Sequence, residues 1–386
     1  MDLSEKLLPI SPDAPDAPIN KNNSKTNLGP KSIQDLQKGK NITGDCGSDP
    51  TVKPKWLNKD VYDPVQMKSF FEKNMFSIIL AWHCSLTIGF SLPTLLSALV
   101  YTKNSNTKKK ALKRYLNTGS HLASWHLGDI FDPTSKSFTS LQFVRGLHAS
   151  VRQRMDKAKP GQTWLSMYNM ACVQSGFMGA VTILPEKFAL NATEEELERY
   201  VNFWKCAGYQ LGVSNEFNLC SLGLKHADPI VWEIIDQVLI PDNQDPPEEY
   251  DEMAGAYIGG LNLLFCGLPF FSVKSSVAYT YYGLGRKLPR MCICDYLRFY
   301  FLRLVVFLMT YISPFRYIVN KATNHVFKTL VYKREEQNVR DLSPPVAKCC
   351  NCNMSPVGWI FVILFLCVIL FATSIVFLGY QSLIVG

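Results

Sequence analysis

Apolar positions recur along this chain at spacings of three and four, the period of a helix with one buried face. The pattern runs from about residue 107 to 335 with few alternating β-branched stretches. It predicts an all-α domain. One helix start is marked by Thr193 and Glu196, a T-x-x-E capping box after Pro185, followed by the inward stripe Leu197, Tyr200, Trp204, Ala207 and Leu211. DPIVWEIIDQVL and EEYDEMAGAYIGGLNLLF are further helices, divided by the polar loop PDNQDPPE. In residues 139–155, TSLQFVRGLHASVRQRM, the side chains of Leu141, Val144, His148, Val151 and Met155 share one helix face. An imidazole thus stands at the centre of an apolar stripe, with Arg145 and Arg152 a turn to either side. Both its ring nitrogens need partners, since an unpaired buried polar group costs about 1–3 kcal/mol; a carbonyl, a carboxylate or a metal would each serve.

Four stretches depart from this pattern. Residues 1–66 are rich in Pro, Ser, Asn, Asp and Lys with little apolar periodicity, which predicts a disordered tail ahead of a domain over 67–335. Residues 76–101 carry no charge but are diluted by Trp82, His83, Ser85, Thr87, Ser91 and Pro93. They read either as a bilayer span or as a buried core helix kinked at Pro93, with His83 as a satisfied core histidine. YLRFYFLRLVVFLMTYISPFRYI is interrupted by Arg298, Arg303 and Pro314, which suits a helix on a membrane surface better than a span. Residues 357–379 hold no charge over 23 positions, enough for the hydrocarbon core of a bilayer, and read as a C-terminal transmembrane anchor behind a linker over 336–356. Lys333, Arg334, Arg340 and Lys348 precede that stretch, which places the main domain on the cytosolic side of its membrane; the endoplasmic reticulum is one compatible location.

Length and composition add bounds. A chain of 386 residues that is 47% hydrophobic can bury a sizeable core, and one large domain is the simpler arrangement. The formal charge of +8 is modest, and the basic residues do not interleave with aromatics as a nucleic-acid track would, so no nucleic-acid partner is expected. The basic cluster KNSNTKKKALKR reads as a solvated helix face or a contact with anionic headgroups. The 12 cysteines are scattered and no secretory signal is visible, so the thiols are expected reduced and the sequons at Asn22, Asn41 and Asn191 unused. Cys349, Cys350 and Cys352 abut the apolar stretch and are candidates for S-acylation; the alternative is zinc, together with Cys292 and Cys294.

The chain has no G-x-S-x-G elbow, no phosphate-cradling Gly-rich loop and no H-E-x-x-H. What remains is His148 between two arginines. A b-type haem needs a neutral imidazole for iron, apolar walls, and cations for its propionates; a plain core histidine shows the same spacing.

Four segments, RYLNTGSHL (114–122), LQFVRGLHASVRQRM (141–155), MYNMACVQSGFMGAV (167–181) and YVNFWKCAGYQLGVSNEFN (200–218), taken in order, resemble the rubber oxygenase catalytic-domain family. Latex clearing protein and a membrane-bound fungal oxygenase of mycophenolic acid synthesis belong to that family. The resemblance spans roughly residues 70–320 and implies a single all-α domain enclosing a haem pocket. It implies haem b as cofactor, His148 as the iron ligand, Arg145 and Arg152 as cofactor-binding partners of the propionates, and Arg114 and Thr118 as the catalytic distal pair on the oxygen side. The rubber-cleaving members insert dioxygen into a carbon–carbon double bond of an isoprenoid. Two departures stand against carrying that reaction over. Asn117 occupies the place of a distal lysine, and no carboxylate lies near Ser97 and Ala98, where the family has its proposed base. Two functional expectations follow: a membrane-anchored, haem-dependent oxygenase acting on a hydrophobic, isoprenoid or lipid-like molecule, or a non-catalytic, membrane-anchored protein that binds a lipid or a partner.

Overall fold

Asp63 starts the helix around which the others are arranged. Its backbone is extended and its carboxylate accepts from the amides of Val65 (2.9 Å) and Gln66 (3.3 Å), with Pro64 at the first helical position, so α2 (Pro64–Gly89) begins there. In the computed structural model, which describes residues 29–264, 267 and 269–336, α2 is flanked by α4 (Lys108–Leu127), α6 (Met167–Ile183), α11 (Val273–Gly283) and α13 (Ser313–Glu336). A helix covered on all sides must be apolar all round. Phe71, Met75, Ile78, Ala81, Cys84 and Ile88 are accordingly fully buried.

The central helix is broken once, at Asn74, whose backbone leaves the helical region. A break inside a core frees amides and carbonyls that need new partners. Neighbouring side-chain amides supply them. Asn320 of α13 accepts from the Phe76 amide (3.2 Å) and donates to the Lys73 carbonyl (2.8 Å), and Asn324 donates to the Glu72 carbonyl (2.7 Å). Asn74 itself donates to the Phe70 carbonyl (3.2 Å) and accepts from the Asn191 amide (3.0 Å).

The remaining helices are α1 (Ile33–Gln37), α3 (Pro93–Thr102), α5 (Lys136–Ala158), α7 (Glu194–Gln210), α8 (Leu224–Ile234), α9 (Ile240–Gln244), α10 (Tyr250–Leu263) and α12 (Ile293–Tyr311). No strand occurs among the described residues, and they form a single all-α domain. The capping box of α7 forms as its sequence predicts, with Thr193 accepting from Glu196 N (3.2 Å) and Glu196 accepting from Thr193 N (2.9 Å). α10 lies directly on the backbone of α4: a Cβ on Gly260 would sit 2.7 Å from the Lys108 carbonyl oxygen and 2.9 Å from the Leu112 nitrogen. Only a glycine allows that approach.

Residues 29–63, expected to belong to a disordered tail, are instead packed on the domain. Ile33 and Leu36 are fully buried, the Ile33 amide donates to Glu233 (2.6 Å), the Ile42 carbonyl accepts from Met167 N (2.9 Å), and the Cys46 amide donates to the Gly212 carbonyl (2.8 Å). Two apolar anchors and backbone groups satisfied by distant elements hold this strap, and neither leaves a periodic signal in a polar sequence.

Residues 76–101 are two helices rather than one, and most of the part within α2 is buried, as the core-helix reading expects. α2 ends at Gly89 and the chain turns by 90° into α3, whose first residue is Pro93. Among the described residues no single helix is long and apolar enough to cross a membrane. The expected anchor over 357–379, its linker beyond 336 and Cys349, Cys350 and Cys352 lie outside the described residues.

Candidate functional site

The inward face of α5 is built as its spacing predicts. Leu141 and Met155 are fully buried, Val151 is buried, and Val144 packs on the main core. At their centre His148 is half-buried, and neither ring nitrogen makes a hydrogen bond among the described residues; Nδ1 is sealed without a partner. Burial first, then the charges of Arg114 and Arg152, push its pKa down to about 4, while Asp45 pulls it slightly up. The imidazole is therefore neutral at physiological pH, the form that donates a lone pair.

Arg114 and Arg152 thus reach the same place from different helices. Arg114 on α4 donates through Nη1 to the Thr102 hydroxyl (3.1 Å) at the C-terminal end of α3, and burial lowers its pKa from the ordinary guanidinium value without threatening its charge. Thr118, one turn further along α4, donates its hydroxyl to the Arg114 carbonyl (3.1 Å) and keeps its lone pairs as acceptors. Arg152 is half-buried and has neither hydrogen bond nor ion pair among the described residues.

Arg145, the other expected propionate partner, is buried and ion-paired. Its Nε and Nη2 donate to the two oxygens of Asp45 (2.8 and 2.6 Å) on the N-terminal strap, while its Nη1 is buried without a partner. Burial raises the Asp45 carboxyl, but the Arg145 hydrogen bonds, the Gly47 amide and the nearby arginine charges outweigh it and hold the pKa below the usual range. Asp45 and Thr102 are the two site neighbours that sequence reasoning missed. Asp45 sits in the aperiodic stretch GDCGSD, and Thr102 is an ordinary helix-ending residue.

The other two buried histidines differ in how far they are satisfied. His83 bonds Tyr257 Oη through Nδ1 (3.0 Å) and Ser276 Oγ through Nε2 (3.0 Å), the satisfied core histidine expected. His126 donates through Nδ1 to the Leu122 carbonyl (2.7 Å), while its Nε2 is sealed without a partner among aromatic rings, with centroids 4.4 Å from Phe71 and 4.1 Å from Phe203. Among the described residues no group of three or more His, Cys, Asp or Glu could hold a metal ion. A lone imidazole suits a haem, whose macrocycle brings the other iron donors itself. The orphaned nitrogen of His148, its neutral form and the unpaired Arg152 fit that group; Arg145 is engaged by Asp45 through Nε and Nη2 and keeps Nη1 without a partner.

Comparison with known proteins agrees with the resemblance read from the sequence. Residues 71–253 match the family described as ER-bound oxygenase mpaB/B'/rubber oxygenase, catalytic domain. That stretch contains α4, α5, Thr102 and His148, while Asp45 lies ahead of it. No curated protein and no solved structure gives a significant match.

Proposed function

We propose that this chain is a membrane-anchored, haem b-dependent oxygenase-like protein acting on a hydrophobic, isoprenoid or lipid-like molecule. The observation that carries this reading is His148: a neutral imidazole without a hydrogen bond, at the centre of an apolar helix face, inside the stretch that matches an oxygenase catalytic domain. A ring nitrogen sealed from water without a partner, as Nδ1 is here, is costly unless a ligand completes it.

In this reading His148 holds the iron and Arg152 faces a propionate. Bound haem supplies dioxygen binding and activation, chemistry that no side chain provides. Arg114, fixed by Thr102, presents a permanent cationic donor, and Thr118 presents an oxygen acceptor on the same helix. Leu141, Val144 and Val151 keep water from the imidazole and offer walls to an apolar molecule. Residues 357–379 insert in the bilayer and keep the domain beside its source of hydrophobic substrate.

One observation favours the second reading, a non-catalytic lipid- or partner-binding protein on the same fold. Asn117 stands in place of the distal lysine, and Ser97, where a base is missing, directs its hydroxyl to the Pro93 carbonyl (2.7 Å). The absorption spectrum of the detergent-purified full chain, after haem supplementation, separates the two. A Soret band with stoichiometric haem supports the first; its absence supports the second.

A further inference from the structure

α12 is apolar on both sides. Its inner face carries Phe299, Leu302, Val305, Val306 and Met309, all buried. Its outer face carries a second stripe at spacings of four, three, seven and four, with Ile293 80%, Leu297 66%, Tyr300 55%, Phe307 54% and Tyr311 71% exposed. A stripe of that kind runs the length of 19 residues, close to 30 Å at about 1.5 Å per residue. Past the 110° corner, Tyr317 and Ile318 of α13 continue it, at 65% and 58% exposure. Soluble domains scatter exposed apolar residues singly; a continuous row marks a surface made to be covered.

Two features say what covers it. The first is charge: residues 286–328 hold eight Lys or Arg and the single acid Asp295, itself paired with Arg298 at 3.1 Å. Exposed Arg290 and Arg303 accompany the apolar row, and the Arg303 guanidinium lies over the Tyr282 ring at 4.5 Å. Tyrosines mixed with arginines beside aliphatic side chains match the headgroup boundary of an anionic bilayer. The second is the chain beyond: only 20 residues separate Glu336 at the end of α13 from the uncharged stretch 357–379. Even fully extended, that linker spans at most about 70 Å.

We propose that the outer face of α12 and the start of α13 form a membrane-docking surface that lies in the interface of an anionic bilayer. It adds a second contact to the anchorage proposed above and sets the orientation of the domain. The inner side of the same helix leads to the site. Phe301 meets Phe270 (centroids 6.5 Å apart), and Phe270 and Phe271 pack in one cluster with Leu112 and Leu116 of α4, the helix that bears Arg114 and Thr118.

The test uses the full chain reconstituted in vesicles of phosphatidylcholine mixed with phosphatidylserine, with a photoactivatable diazirine on the acyl chain, and maps the adducts by mass spectrometry. Adducts on residues 291–318 are expected, falling about tenfold in Leu297→Glu/Phe307→Glu and falling when phosphatidylserine is left out. Leu297→Gln, a milder change at an exposed position, is expected to lower them less. Labelling of 357–379 with α12 bare overturns the docking surface and leaves the anchorage standing. Labelling of α12 with 357–379 bare does the reverse. An α12 without lipid adducts that a separate bifunctional cross-linker joins to a second copy, or to the C-terminal segment of its own chain, overturns the proposal and names the other occupant.

Discussion

Arg145 on α5 grips both carboxylate oxygens of Asp45, a residue 100 positions earlier in the chain, at 2.8 and 2.6 Å. The pair ties the N-terminal strap to the helix that carries His148, and both partners are largely withdrawn from water. Removing one partner leaves the other charge stranded. Asp45→Ala is expected to cost about 2–3 kcal/mol, less than a fully buried pair because Asp45 keeps some exposure. Asp45→Ala with Arg145→Met should recover much of that loss. Urea unfolding of the single and double variants decides it; equal stability of Asp45→Ala and wild type would contradict the clamp.

Gly260 permits α10 to touch the backbone of α4, with a Cβ meeting the Lys108 carbonyl oxygen at 2.7 Å. Backbone cannot give way as a flexible side chain can, so Gly260→Ala is expected to destabilise by about 1–3 kcal/mol. The displaced helix carries Arg114 and Thr118, so haem affinity should fall as well. Thermal unfolding and haem titration measure the two effects, and a variant with unaltered values in both would show that the contact is not needed.

Two histidines lie within the core, and burial pushes His83 down to about 4 and His126 down to about 3 from the ordinary 6.5. Below pH 6.5 the unfolded chain binds protons that the folded chain refuses. Stability is therefore complete above about pH 6.5 and declines as the pH falls toward 4, by up to about 1.4 kcal/mol per unit for each such imidazole. His126→Phe should flatten this decline by one imidazole's share. Urea midpoints at pH 7 and pH 5 provide the comparison, and an unchanged decline in the variant would rule His126 out as a contributor.

Arg114 receives its orientation from Thr102 (3.1 Å). Arg114→Ala is expected to retain haem while shifting the spectrum of the dioxygen-bound form, because a distal donor acts on the bound gas rather than on the iron ligand. Thr102→Val should produce a smaller shift in the same direction. Spectra of both variants under air give the answer; loss of haem from Arg114→Ala would make that arginine part of the cofactor's seat instead.

Periodicity made the helical stripes legible. Thr193 and Glu196 announced α7, and the spacing of Leu141, Val144, His148, Val151 and Met155 gave the inward face of α5 correctly. Long-range pairing was out of reach. Nothing near Asn74 signals that Asn191, Asn320 and Asn324 mend the break in α2, and nothing in GDCGSD marks Asp45 as the partner of Arg145. Both depend on polar groups from distant segments satisfying buried backbone or charge, which no local pattern encodes. The strap over residues 29–63 stayed hidden for the same reason: Ile33 and Leu36 are too few to form a period.

His148 is the residue on which the functional reading stands. The direct measurement is haem content, by pyridine haemochrome, of full-length wild type and His148→Ala purified side by side in detergent with haem supplied during expression. The account predicts about one haem per wild-type chain and less than about a tenth of that in His148→Ala, since Leu141, Val144 and Val151 on the same face cannot donate to iron. Retained helical content would show that the fold survives the change. Wild-type haem content in His148→Ala, or a wild-type chain that takes up none, would contradict it.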